Sequence, residues 1–151
     1  MGDILLSNEK FSVSAQYAGV ANGTSVYFEF KTPVKAKGKA IHLNHIELYL
    51  GGKTTIEVLE APGLTTGETA VVPTQCNRLS ATILSDCVLK SNPTLVVNGT
   101  VIAKHVYSAG FNKLPDDLVL EQNTTYVIKL TNGSGGAIDI DLFLKWLEDD
   151  K

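Results

Sequence analysis

The chain has 151 residues, enough for one domain with a sizeable hydrophobic core. Hydrophobic residues make up 44% and charged residues only 19%, below the usual ~25%, which argues against a disordered chain and against a solvated helical bundle. The net charge of −3 and the single arginine argue against a nucleic-acid binder, which usually carries an arginine-rich basic stripe.

The first residues lack a regular pattern, and we assign residues 1–10 to an N-terminal arm. Its aliphatic residues Ile4, Leu5 and Leu6 are candidates for contact with a partner, because exposed aliphatic groups are costly unless they are covered. The arm begins with an acid and a short apolar patch, which is not the pattern of a secretory signal. No apolar run approaches the ~20 residues of a membrane helix, so we expect no membrane association.

From residue 11 onward, apolar and polar residues alternate with a period of two, which places one set of side chains in a core and the other in solvent. Residues 11–17 and 26–30 show this most clearly, and Asn22-Gly23 between them predicts a hairpin turn. Further strands are expected at 40–50, 53–60, 69–76, 80–89, 94–97, 100–107, 118–121, 124–131 and 137–146. The chain is expected to reverse at 51–52 and 132–136, and Asn98-Gly99 predicts another hairpin turn.

About ten short strands, with turn signals roughly every 8–12 residues, predict an all-β sandwich or barrel. We therefore assign residues 11–151 to a single antiparallel β-sandwich domain. Proline and glycine mark 31–39, 61–67 and 108–117 as loops. The first loop contains the run Lys35, Lys37 and Lys39, for which a solvated loop is favoured over a phosphate-binding patch.

The histidines do not predict a metal site. His42 and His45 lie three apart on a predicted strand, and this spacing points them to opposite faces. A shared metal is disfavoured by that geometry, and no zinc or calcium motif occurs in the sequence. We expect no metal and no cofactor.

Two of the carboxylates are candidates for a catalytic pair. Glu47 and Glu57 are expected to face one another across a hairpin, and paired carboxylates carry out glycoside hydrolysis. Aromatic residues make up only 7%, too few for a sugar-stacking cleft, so we predict no catalytic residues. Asp139 and Asp141 alternate outward on the last strand, where a solvated face is favoured over a calcium site shared with the acids at 116–117.

Two cysteines and one arginine complete the candidate residues. Cys76 and Cys87 are interpreted as thiols in a reducing compartment, with a bridge between neighbouring strands as the alternative. Arg78 carries a planar guanidinium suited to a bidentate contact, either within the fold or, together with Asn77, with a partner. Four Asn-x-Ser/Thr sequons are interpreted as turn chemistry, at Asn22, Asn98, Asn123 and Asn132.

Three stretches are similar to one known group of proteins in residue pattern and in order along the chain. Residues 55–62 read Thr-Ile-Glu-Val-Leu-Glu-Ala-Pro, and Asn77-Arg78 precedes a strand that contains Ser and Thr. Residues 123–148 contain Asn-Thr-Thr-Tyr, then Lys-Leu-Thr-Asn-Gly-Ser-Gly-Gly, and end in Trp-Leu-Glu. Together these stretches resemble the small capsid decoration, or cement, proteins of tailed bacteriophages.

The resemblance implies a jelly-roll-like β-sandwich that forms a homotrimer, binds the major capsid protein on the head surface and stabilises the shell without catalysis. It also implies location in the virion, with assembly in the host cytoplasm. One alternative is another phage component, such as a tail, collar or fibre protein. A second is a carbohydrate-binding module, and a third is a small hydrolase. The candidate sugar-stacking residues of the module are Tyr17, Tyr27, Tyr49 and Tyr107.

Overall fold

Fourteen β-strands form the secondary structure of the described residues, which in this computed structural model are 8–34, 41–65, 69–76, 85 and 87–149. No helix within these ranges is long and apolar enough to span a membrane. The strands are β1 (Asn8–Val20), β2 (Ser25–Lys31), β3 (Ile41–Leu50), β4 (Thr54–Glu60), β5 (Gly63–Thr65), β6 (Thr69–Val71), β7 (Thr74–Gln75), β8 (Val88–Ser91), β9 (Thr94–Val97), β10 (Thr100–Tyr107), β11 (Gly110–Lys113), β12 (Leu118–Leu120), β13 (Thr125–Asn132) and β14 (Ile138–Asp149).

The strands form two large sheets and one small sheet. The front sheet has the order β11-β3-β14-β1-β7, with β12 also paired to β3, and the back sheet has the order β10-β4-β13-β2-β8-β6. Strands β5 and β9 pair separately. All of these pairings are antiparallel, so the predicted all-β antiparallel fold is confirmed.

The two large sheets share one hydrophobic core. Trp146 of β14 is fully buried and meets Phe30 of β2 edge-on, with ring centroids 4.9 Å apart. Trp146 also stacks on Phe11 of β1 at 6.0 Å. Because β2 lies in the back sheet and β14 in the front sheet, the contact between Trp146 and Phe30 joins the two layers in a sandwich-like arrangement. The jelly-roll form of the fold stays a prediction.

Two buried polar side chains beside this core, Glu148 and Tyr126, have hydrogen-bond partners. The carboxylate of Glu148 accepts hydrogen bonds from Trp146 Nε1, at 2.9 Å, and from Ser85 Oγ. The hydroxyl of Tyr126 donates to Glu60 Oε2 and accepts from the backbone N–H of Glu121, both at 2.9 Å. Because an unpaired buried polar group costs about 1–3 kcal/mol, these bonds help to fix the sheets in one arrangement.

The hairpins predicted at 22–23, 51–52 and 98–99 are wrong, because each of these turns links strands of different sheets. An Asn-Gly or Gly-Gly pair signals a tight reversal with positive φ, but it does not decide which strands pair. Gly23 has φ 79°, and its turn carries the chain from β1 in the front sheet to β2 in the back sheet. The same change of sheet occurs at 51–53 between β3 and β4, and at 133–137 between β13 and β14. Gly99 has φ 70° and separates β9 and β10, which pair with β5 and β4 respectively.

Some predicted boundaries differ from the observed ones. Strand β1 begins at Asn8, so residues 8–10 belong to the front sheet rather than to the predicted arm. Strands β5 and β11 lie within 61–67 and 108–117, which were predicted to be loops. Short strands of this kind depend on a partner strand already in place, which local proline and glycine signals do not reveal. Most of the predicted strand at 80–89 lies outside the described residues.

A β-bulge at Asn44 changes the phase of β3. His45 pairs with Lys145 and Leu43 pairs with Trp146, which leaves Asn44 as an extra residue opposite β14. The bulge places both His42 and His45 on the outer face of the front sheet, so the prediction of opposite faces is wrong.

Candidate functional site

The partner-contact residues predicted from the sequence all lie outside the described residues. They are Ile4, Leu5 and Leu6 in the arm, and Asn77 and Arg78 after β7. Their contact with a partner stays a prediction. Cys76 and Cys87 are not joined by a disulfide, and Cys87 is buried, so the interpretation as two unbridged cysteines is confirmed.

The histidines and acids do not assemble a metal centre in the described part of the chain, where no group of three or more potential ligands is close enough to hold an ion. His105 Nε2 lies 2.7 Å from Asp116 Oδ2, and Asp139 Oδ1 accepts the backbone N–H of Gly19 at 2.9 Å. Two acids of the calcium group considered in the sequence, Asp116 and Asp139, thus contact different elements. The pKa of His45 is lowered by burial and by the charges of nearby lysines.

The predicted carboxylate pair is separated by the sandwich. Glu47 lies on β3 of the front sheet, where it is paired with Phe143 of β14. Glu57 lies on β4 of the back sheet, where it is paired with Lys129 of β13. Both point away from the core, so they face opposite sides of the molecule, and the prediction that they oppose one another is wrong.

The four candidate tyrosines have different environments. Tyr17 is buried, and its hydroxyl donates to the carbonyl of Tyr27 at 3.2 Å, so it belongs to the core. Burial raises the pKa of Tyr17 and also that of Tyr107. Tyr27 and Tyr107 are half-buried, whereas Tyr49 is 63% exposed. Of the four, Tyr49 is the side chain best placed to meet a ligand.

Tyr49 belongs to a surface that we call the aromatic face: the outer side of the front sheet around Tyr49, Phe111 and Phe143. The rings of Tyr49 and Phe111 lie 5.4 Å apart at 55° to one another, and Phe111 is 55% exposed. A shallow cavity of about 350 Å³ lies here, lined by these three aromatics and by Ser14, Gln16, Glu47 and Asp141 among others.

The register of the front sheet orders these side chains in two rows. Phe111 pairs with Tyr49, Tyr49 with Asp141, and Asp141 with Gln16. In the adjacent row, the order is Lys113, Glu47, Phe143 and Ser14. Residues directly opposite on antiparallel strands lie roughly 4.5–5.5 Å apart at Cβ, so aromatic and polar side chains are direct neighbours throughout the face.

A second group of exposed side chains lies on β9 and β10, and we call these residues the aliphatic band. Val96 and Val97 of β9 are 62% and 61% exposed, and Val101 and Val106 of β10 are 47% and 54% exposed. Ile102, at a register irregularity of β10, is also exposed. Strand β10 is the edge strand of the back sheet, so its outer backbone edge has no partner strand in the described part of the chain.

No protein family matches this sequence, and no curated protein matches it significantly. The function is therefore inferred from these two surfaces and from the resemblance described above.

Sequence reasoning found part of the aromatic face. The alternation along 137–146 placed Asp139 and Asp141 outward, and the same alternation extends to Phe143. Phe111 was missed because its segment was predicted to be a loop. The aliphatic band was visible as five aliphatic residues between 96 and 106, but the sequence did not show that β9 and β10 have different partners.

Proposed function

We propose that this chain is a non-catalytic structural protein of a tailed-phage virion, which decorates and stabilises the capsid by binding the major capsid protein. The observation that carries the proposal is the aliphatic band on β9 and β10. Five exposed aliphatic side chains fall on these two successive strands, and exposed apolar surface of this kind supports contact with another protein.

The band is suited to a protein partner because its exposed side chains are mostly aliphatic. Val96, Val97, Val101 and Val106 offer apolar area with little hydrogen-bonding capacity. Exposed Lys104 lies between the valines of β10, and a charge at this position opposes uncontrolled edge-to-edge pairing. A partner that covers the valines and leaves Lys104 at the rim would bury apolar area while the ammonium group of Lys104 stays in solvent.

The order of the long strands supports the jelly-roll part of the proposal. The front sheet contains β1, β14, β3 and β11 side by side, and the back sheet contains β2, β13, β4 and β10. Most connections between successive long strands pass from one sheet to the other. Two Greek keys folded into two sheets give a jelly roll, a fold found in viral capsid proteins and lectins.

The mechanism we propose is mechanical. A homotrimer would place three copies of the aliphatic band on neighbouring capsid subunits, so that modest contacts act together through avidity. Separation of capsid subunits would then require that these contacts break at the same time. In solution, the purified chain is expected to have three times the mass of one protomer by light scattering, and a monomer at all concentrations would contradict the trimer.

Gold-labelled antibody on purified virions tests the location by electron microscopy. Label distributed over the head supports the proposal. Label confined to the tail, the collar or the fibres would replace it with the alternative phage component, and virions without label would reject both.

A further inference from the structure

We infer that the aromatic face binds a neutral oligosaccharide, an activity that does not depend on the proposed role in the virion. The site is the cavity of about 350 Å³ on the outer side of the front sheet. It combines Tyr49, Phe111 and Phe143 with the polar side chains of Gln16, Glu47 and Asp141.

The pattern of side chains matches the chemistry of a sugar ring. A pyranose has apolar C–H faces and hydroxyl groups around its edge, so its site needs aromatic surface next to hydrogen-bonding groups. Tyr49 is directly opposite Asp141, and Phe143 is directly opposite Glu47. Each of these aromatic rings therefore has a carboxylate as its cross-strand neighbour.

The polar side chains of the cavity are available to a ligand. Among the described residues, Gln16, Glu47 and Asp141 make no side-chain hydrogen bond to another residue. Gln16 and Asp141 are register partners on β1 and β14, so an amide and a carboxylate converge on one spot. Together they offer both donors and acceptors to vicinal hydroxyl groups.

The extent of the face fits a short chain of sugars. The row from Phe111 to Gln16 crosses four adjacent strands, or roughly 14 Å at about 4.8 Å per strand. A second hollow of about 270 Å³ adjoins the first and shares Gln16 and Asp141 with it. The second hollow is also lined by Asp139, which extends the polar surface beyond the aromatic residues.

The charges of the site select the class of ligand. Glu47, Asp139 and Asp141 line the two hollows, and these acids would repel a sialylated or sulfated glycan. Lys113 lies opposite Glu47 at the rim of the face. Acids in the middle of the face also disfavour a protein partner, because charged residues are depleted from the cores of protein interfaces.

A glycan array probed with the labelled full chain tests the inference first, since it presents neutral, sialylated and sulfated oligosaccharides together. We expect binding to neutral hexose oligosaccharides and none to the acidic ones. Titration calorimetry with the best neutral oligosaccharide then locates the site. Tyr49→Ala and Gln16→Ala are each expected to weaken binding about tenfold or more, because both side chains are solvent-exposed members of the site.

Val119→Ala is the matched control, since Val119 is an exposed apolar residue of the front sheet that does not line the cavity. It should bind like the unmodified chain. The inference is overturned by an array without neutral binders, by a preference for acidic glycans, or by equal affinity in the Tyr49→Ala, Gln16→Ala and Val119→Ala variants. None of these outcomes depends on the location of the chain in the virion.

Discussion

The side chain of Asn132 is fully buried in the turn that leads from β13 to β14. Its amide nitrogen donates to the carbonyls of Val20 and Gly136 at 2.8 and 2.7 Å, and its oxygen accepts the backbone N–H of Ser134 at 2.8 Å. One residue thereby ties the end of β1 to the turn between β13 and β14. The interpretation of this sequon as turn chemistry is confirmed, because the amide is committed to the fold.

Replacement of Asn132 by alanine is expected to lower the free energy of unfolding by about 2–3 kcal/mol, since it leaves buried backbone groups without partners. Urea denaturation measures the change. Asn98→Ala is the matched control, because Asn98 also precedes a glycine in a turn but is exposed. Its effect should stay within about 0.5 kcal/mol, and equal losses in both variants would contradict this role of Asn132.

The buried hydroxyl of Tyr126 predicts a dependence of stability on alkaline pH. Burial, together with the hydrogen bond to Glu60, raises the pKa of Tyr126 from its usual value of 10 to about 12. Between these two values the unfolded chain loses the proton while the native chain keeps it, so stability falls as pH rises through this window.

Tyr126→Phe removes this titration. Between pH 10 and about 12, the free energy of unfolding of the variant should therefore decline less steeply than that of the unmodified chain. Tyr17 and Tyr107 also have raised pKa values and remain in both proteins, so the difference between the curves isolates Tyr126. Parallel curves over this range would be inconsistent with the raised pKa.

At the scale of a single strand, the bulge in β3 sets which side chains face the core. Leu43 and Ile46 are both buried although three positions separate them, because Asn44 is extra. Asn44 Oδ1 and His45 Nδ1 are buried without a hydrogen-bond partner among the described residues. The effect of the bulge is therefore to orient His45 toward the outer face, and it does not create a network of hydrogen bonds.

Deletion of Asn44 is therefore expected to be tolerated, with a loss of no more than about 1 kcal/mol, because it restores strict alternation and keeps the pairing of Leu43 and His45 with β14. Deletion of Glu47 is the control from the regular part of the same strand. This deletion shifts the register of β3 on one side of position 47 by one residue, which turns buried leucines toward solvent. Cooperative unfolding in urea should therefore be abolished. Equal tolerance of both deletions would contradict the observed register.

The strands themselves were largely predictable, and the exceptions have physical causes. Alternation of apolar residues is a local signal, and it predicted β1, β3, β4, β10, β13 and β14. The bulge was also visible in principle, since the apolar residues change phase between Leu43 and Ile46. Strands β5 and β11 were not predictable, because three or four residues among glycines carry no period and their pairing depends on β9 and β3.

For the whole molecule, the sequence predicted the fold class but not the arrangement of the surfaces. The turn at Gly23 was correctly placed, yet its local sequence does not state that the chain changes sheet there. The aromatic face shows the same limit. Gln16, Tyr49 and Asp141 come from three distant parts of the chain, and only the register of β1, β3 and β14 makes them neighbours.

The aromatic face and the aliphatic band differ in chemistry and lie on different sheets. The aromatic face lies on the outer side of the front sheet, and the aliphatic band lies on β9 and on the edge strand of the back sheet. In the account proposed here, the band attaches the protein to the capsid, and the aromatic face stays open to a sugar ligand. Contact of a capsid subunit with the band would not require the aromatic face.

Retention of the chain on purified virions tests the role of the band most directly. Virions are grown with the unmodified chain, with the double variant Val101→Asp and Val106→Asp, or with Val119→Asp, which alters a more exposed valine of the front sheet. Circular dichroism of each purified chain checks that it folds. We predict that the double variant is lost from the particles during gradient purification, whereas the Val119 variant stays bound like the unmodified chain. Retention of the folded double variant at the unmodified level would contradict capsid attachment through the aliphatic band.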